Sequence, residues 1–295
     1  MKRPRLGARV LLLALLAIAL AGAVTLWRLG TLLTAPVQHA VALPPGVEAE
    51  VVDIPAKGHA VAGWWMDAGE STPVVLLLHP VRTDRRAMLA RAELLRDQGF
   101  SALLIDLQAH GETQGKAITF GKRESEDVTA ALAWLRAEAP DRRIGVVGCS
   151  LGGASLLLGP QPAGVDAVVL EAVYPRLSRA VRNRLRLRFG SLAGALAPLL
   201  LVQLEPRLGI SPEELEPIRS IGRLGAPVLV VAGSLDRHTM LEESQELFDA
   251  ASEPKELWVV DGALHQDFLE FDPEGYEAHV VSFLAEHLRI GSRSP

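Results

Sequence analysis

The chain of 295 residues has a single cysteine, Cys149. No internal disulfide is possible, so the fold must be held by its own core. Basic charge is also short: Lys and Arg total 30 against 35 Asp and Glu, a net charge of −5. That excludes the sequence-wide basic footprint of a nucleic-acid-binding protein. Long apolar runs are missing everywhere but near the amino terminus, which excludes a polytopic membrane protein. Internal repeats and low-complexity tracts are absent. With 49% hydrophobic and 22% charged residues, extended disorder is excluded too, and the length suits one large domain or two small ones.

Lys2, Arg3, Arg5 and Arg9 precede Val10–Trp27, 18 residues without a charge. As a helix this run spans about 27 Å, close to the ~30 Å hydrocarbon core of a bilayer. Basic residues are dense before it and sparse after it, so the amino end is expected in the cytoplasm and the remainder outside. Two alternatives stand beside this signal anchor. Small residues at Ala19, Ala21 and Ala23 would allow cleavage as a signal peptide, and the run could be a buried core helix. Residues 31–47, with Pro36, Pro44 and Pro45, read as a linker or lead-in.

From Glu48 onward, strand-like and helix-like segments alternate. Glu48–Ile54 and Ala60–Met66 suit an opening antiparallel hairpin. Apolar runs at 73–79, 101–107, 143–148, 166–171, 227–232 and 256–260 suit strands buried on both faces. Helical patterns fall at 85–98, 125–139, 151–158, 242–251 and 276–288. Together these predict an α/β architecture, a mostly parallel sheet covered by helices on both faces. Residues 174–218 break the alternation with about 45 residues of helical pattern and read as a cap inserted between two core strands.

Gly148-Cys149-Ser150-Leu151-Gly152 fits G-x-S-x-G between a strand and a helix. A nucleophile on so sharp a turn needs neighbours without side chains two residues away on either side, and Gly148 and Gly152 meet that need. This spacing centres on Ser150; Cys149 reads as a small packed residue. The Leu151 N–H at the helix start would point at a developing oxyanion. A serine hydroxyl needs a base, and the base needs an orienting carboxylate. Asp236 follows the strand at 228–231 and His265 follows the strand at 257–260. Both therefore fall in loops at the carboxyl edge of the sheet, where ligands gather in open α/β folds. Rivals are His238 as base and Asp261 or Asp267 as acid; His279 and His287 fall within the terminal helix pattern. In the loop after the strand ending at His79, Pro80 has no N–H, so Val81 is the expected second oxyanion donor, with His79 bracing the loop. Asp106, His110 and Glu112 could suggest a metal, but a loop-bracing network is the better account.

These segments, in this order, resemble the α/β-hydrolase superfamily from about Glu48 to Leu288. LLHPVRTDRRAM (77–88) resembles its oxyanion segment, with proline in place of glycine. IDLQAHGETQG (105–115) is similar to its Asp-x-x-Gly-His-Gly-x-Ser segment, with Ala109 and Thr113 substituted. GCSLGG (148–153) resembles the elbow. VLVVAGSLDRHT (228–239) and DGALHQD (261–267) resemble the acid and histidine loops, with Leu264 where glycine is common. Within the superfamily the chain looks most like membrane-anchored or exported bacterial serine hydrolases of the serine aminopeptidase/esterase-like branch. The resemblance implies a triad of Ser150, Asp236 and His265, with Val81 and Leu151 as oxyanion donors.

In the cap, 175–189 carries six arginines with Leu177, Val181, Leu185 and Phe189 recurring on one side, a basic amphipathic pattern; 191–202 is almost wholly apolar. Either this cap rests on an anionic membrane surface, or its apolar face covers the active site while the arginines meet water. The expected organisation is a basic segment (1–9), an anchor or signal peptide (10–28), a linker (29–47), a hydrolase core (48–173 and 219–290), the helical cap (174–218) and a tail (291–295). The expected activity is hydrolysis of a carboxylic ester, or an amide, through an acyl-enzyme, with no metal or organic cofactor implied. The expected partners are a small acyl substrate, lipid-derived or not, and the membrane. An acyltransferase or peptidase on the same triad, or a non-catalytic binding protein, are the alternatives.

Overall fold

The computed structural model describes residues 6–160 and 164–288. Lys2, Arg3 and Arg5 of the expected basic segment, and the expected tail, lie outside them. Among the described residues ten strands follow in chain order: β1 (Val37–Gln38), β2 (Glu50–Ala56), β3 (His59–Met66), β4 (Val74–Leu78), β5 (Ser101–Ile105), β6 (His110–Gly111), β7 (Ile144–Cys149), β8 (Ala167–Glu171), β9 (Val228–Gly233) and β10 (Lys255–Val260). Eight of them form one sheet in the order β10-β9-β8-β7-β4-β5-β3-β2. Pairings from β10 to β5 are parallel; the β2–β3 hairpin and its contact with β5 are antiparallel.

Every residue of β4, β5, β8 and β9 is buried. These strands consist largely of Val, Leu, Ile and Ala, because side chains on both faces meet a helical layer. The strand register carries Gly148, Glu171 and Gly233 to the same edge, so the loops that follow β7, β8, β9 and β10 converge there.

Seven helices matter for the site and its surroundings: α1 (Leu6–Thr34), α2 (Leu89–Asp97), α3 (Glu124–Glu138), α4 (Leu151–Leu158), α5 (Leu177–Phe189), α6 (Ala193–Leu201) and α7 (Leu204–Leu208). Helices α5 to α7 lie between β8 and β9. The apolar N-terminal run is one continuous helix, and it continues to Thr34, past the expected boundary at residue 28.

The expected linker at 29–47 is a correction. It is partly helix and partly a strand pair, Val37–Gln38 beside His110–Gly111. It also braces the loop after β4. Arg82 donates to Leu32 O (3.1 Å), His39 meets Asp84 (2.9 Å), and Arg85 donates to Val41 O (3.0 Å). Prolines stop regular structure over most of the segment, but its backbone carbonyls and His39 still find partners.

Candidate active site

Ser150 sits between β7 and α4 with φ 47° and ψ −103°, a conformation that costs a non-glycine residue of order 1–3 kcal/mol and persists only where the surroundings impose it. The surroundings are tight. A Cβ at Gly152 would lie 2.3 Å from Leu78 O, and one at Gly148 would lie 2.5 Å from the Gly153 Cα. The Ser150 N–H is fixed by Glu171 O at 2.8 Å. The turn therefore holds the serine clear of both neighbouring elements.

Asp236 and His265, in the loops after β9 and β10, are brought together: Asp236 Oδ2 lies 2.7 Å from His265 Nδ1. The other carboxylate oxygen accepts the backbone N–H groups of His238 (2.7 Å) and Thr239 (3.0 Å). Burial pushes the Asp236 carboxyl up, but the hydrogen bond and charge of His265, with those N–H groups, bring it net below the usual range. Ser150 and His265 line one cavity of about 210 Å³ together with Pro80, Met88, Arg91 and Phe268. The Val81 and Leu151 N–H groups have no hydrogen-bond acceptor among the described residues. A larger, open cleft of about 940 Å³ lies elsewhere, lined by polar groups such as Lys57, His59 and Gln108; it contains neither Ser150 nor His265.

The rivals take other partners. His238 stacks on His265 (5.0 Å between centroids, 22° between planes), and its own imidazole is pushed below its ordinary value by burial, Arg184 and His265. Asp261 Oδ1 accepts from the Ser234 hydroxyl at 3.2 Å. Asp267 pairs with Arg91 at 2.7 Å and caps the short helix that follows it.

Asp106 and Glu112 both hold Arg85, a residue that spacing arguments passed over. His79 accepts the Leu107 N–H at Nε2 (3.0 Å) and donates from Nδ1 to Pro80 O (2.8 Å). It thereby ties the oxyanion loop to the neighbouring strand end.

Burial pushes the His79 imidazole down to about 4; burial and the adjacent His79 do the same to His110, also to about 4. The unfolded chain takes up protons at both below about pH 6.5, while the folded chain does not until about pH 4. Stability is therefore lost as pH falls through this window, by roughly 1.4 kcal/mol per pH unit for each histidine. Denaturant unfolding between pH 7 and 4.5 should show a shallower slope for His79→Gln than for the wild type; equal slopes would refute this origin.

Sequence reasoning also missed the floor of the cavity. Arg91, 2% exposed, donates to both oxygens of Glu171 (3.2 and 2.7 Å) and to Asp267. Tyr276 donates to Glu171 Oε1, and Cys149 Sγ lies 3.0 Å from Glu171 Oε2. Burial, then the Glu171 charge, push the Cys149 thiol far up. This favours the neutral thiol over the thiolate, the nucleophilic form.

A largely parallel sheet with a strained serine elbow after β7 and an Asp236–His265 pair on the ends of β9 and β10 has the α/β-hydrolase fold. Comparison with known proteins agrees. Residues 65–184 match the X-Pro dipeptidyl-peptidase (S15 family). The chain is 29% identical over 263 residues to Rv2307c of Mycobacterium tuberculosis (strain ATCC 25618 / H37Rv), covering 87% of this chain and 85% of the relative. It is 23% identical over 233 residues to YqkD of Bacillus subtilis (strain 168), covering 78% and 76%. Among solved structures it is similar to the Pyrococcus furiosus esterase Pf2001, with a TM-score of 0.73 at 24% identity over 87% of this chain and 99% of that one.

Proposed function

We propose that the chain is a serine hydrolase that cleaves a carboxylic ester. One observation carries the reading: the strained Ser150 and the Asp236-bound His265 border the same cavity. In this mechanism Ser150 Oγ attacks the carbonyl carbon and its proton passes to His265 Nε2. Asp236 keeps the proton on Nδ1 and stabilises the imidazolium. The Val81 and Leu151 N–H groups receive the oxyanion. Collapse of the tetrahedral species expels the alcohol, protonated by His265, and leaves an acyl-serine. Water, deprotonated by the same histidine, then releases the acid.

Peptide-bond cleavage is the second reading, favoured by the S15 match over residues 65–184. Recognition of a peptide amino terminus needs a carboxylate free to bind an ammonium group. Glu171 and Asp267, the acids bordering the cavity, are both spent on Arg91, which supports the ester reading. Transfer of the acyl group to an acceptor other than water uses the same acyl-serine.

We also read α1 as a membrane anchor that keeps the remaining chain outside the cytoplasm. The helix is unbroken across Ala19–Ala23, and its last two turns are docked on the folded domain.

The test uses the full chain in detergent, because residues 32–41 contact the oxyanion loop. A fluorophosphonate probe should label the wild type and leave Ser150→Ala unlabelled, and p-nitrophenyl esters should be turned over faster than aminoacyl p-nitroanilides. Absence of both labelling and ester turnover would sink the enzyme reading; faster anilide turnover would replace ester by amide.

A further inference from the structure

The stretch Leu177–Leu208 is long and apolar enough to cross a membrane by composition, yet it folds as a hairpin. The chain turns at Gly190 (φ 56°), and α5 packs against α6. One face of α6, Ala193, Ala197 and Leu200, is buried with Leu185. The opposite face should therefore be polar if it met water. Instead Leu192, Leu199 and Val202 are 63%, 49% and 67% exposed, and no charged residue occurs between Phe189 and Leu204. With Ala195 these positions recur at helical spacing, so they form one continuous apolar stripe. Large apolar surface of this kind on a folded domain marks an interaction face.

The position of the stripe says what it meets. Leu26, Leu29 and Gly30 of α1 are the turns covered by the cap. Gln203 donates to Leu26 O at 3.3 Å. Arg207 lies 3.7 Å over the Trp27 ring and donates to Thr31 Oγ1 at 2.8 Å. Residues 10–25 of the same helix are exposed throughout. If that part spans a bilayer, Trp27 and the cap docked beside it lie at the bilayer rim. Helix α5, alongside, carries Arg182, Arg186 and Arg188, which are exposed and form no ion pair among the described residues.

We infer that the outer face of α6 is buried at the headgroup–acyl boundary of an anionic bilayer, within reach of the upper acyl chains, with the arginines of α5 at its phosphates. The inference rests on the anchor reading of α1. The domain is thus held by two contacts, a spanning helix and an interfacial one, which fixes its orientation over the membrane.

The test places an environment-sensitive fluorophore on single introduced cysteines of the full chain in phosphatidylglycerol/phosphatidylcholine nanodiscs; the unsubstituted chain sets the Cys149 background. Leu192→Cys and Val202→Cys should lose most of their emission to brominated acyl chains, as Leu16→Cys in the anchor does. Glu70→Cys, at the opposite end of the sheet, should keep its emission. Quenching at 16 but not at 192 and 202 would overturn the seat and leave the anchor standing. No quenching at 16 would defeat the anchor and the seat together. Cap quenching unchanged in phosphatidylcholine alone would overturn the anionic assignment.

Discussion

Replacing Asp236 with asparagine should lower kcat on a p-nitrophenyl ester by about 10⁴-fold, by analogy with other hydroxyl–imidazole–carboxylate enzymes. The fold should survive the change, because an amide oxygen can still accept the N–H groups of His238 and Thr239 that now go to Asp236 Oδ1. The amide nitrogen, however, would face His265 Nδ1, where a carboxylate oxygen now lies at 2.7 Å. A donor there forces the imidazole to carry its proton on Nε2, the nitrogen that must accept from Ser150. The tautomer, and not the geometry, is what the substitution removes. Steady-state kinetics alongside a thermal melt tests this: a kcat within tenfold of wild type, with an unchanged melt, would end the assignment of Asp236.

Arg91→Met should cost about 3–5 kcal/mol of stability, the usual penalty when one member of a buried ion pair is removed. Glu171, 2% exposed, would then lose its cationic partner and keep only Tyr276 and Cys149 as side-chain partners. The lost volume is small, so the penalty is mostly electrostatic. Arg91→Met with Glu171→Gln should therefore regain a substantial part of it. Denaturant unfolding of the four chains measures the coupling. Additive losses in the double variant would show that the charge network is not the cause. The expected functional consequence follows from connectivity. Arg91 joins Glu171, whose carbonyl holds the Ser150 N–H, to Asp267, two residues after His265. Loosening it should raise the mobility of the histidine loop relative to the elbow.

Much of the candidate site is legible in the sequence because its constraints are local. A serine on a strand-to-helix turn needs small neighbours within two residues, so Gly148 and Gly152 announce it. Strands buried on both faces read as unbroken apolar runs, and the residue that follows each one lies at the carboxyl edge. These rules are enough to bring Ser150, Asp236 and His265 to the same rim. His79, expected to brace the loop, links the Leu107 N–H to Pro80 O.

What the sequence by itself determined is thus the succession of strands along the chain, the elbow, the apolar N-terminal helix and the candidate hydroxyl, imidazole and carboxylate. Only the tertiary structure decided which charges pair. Arg91 meets Asp267 across 176 positions and Glu171 across 80. A backbone turn is governed by neighbours a few bonds away. A buried ion pair is governed by whichever opposite charge the fold delivers within about 3 Å, and side-chain spacing along the chain carries no trace of that.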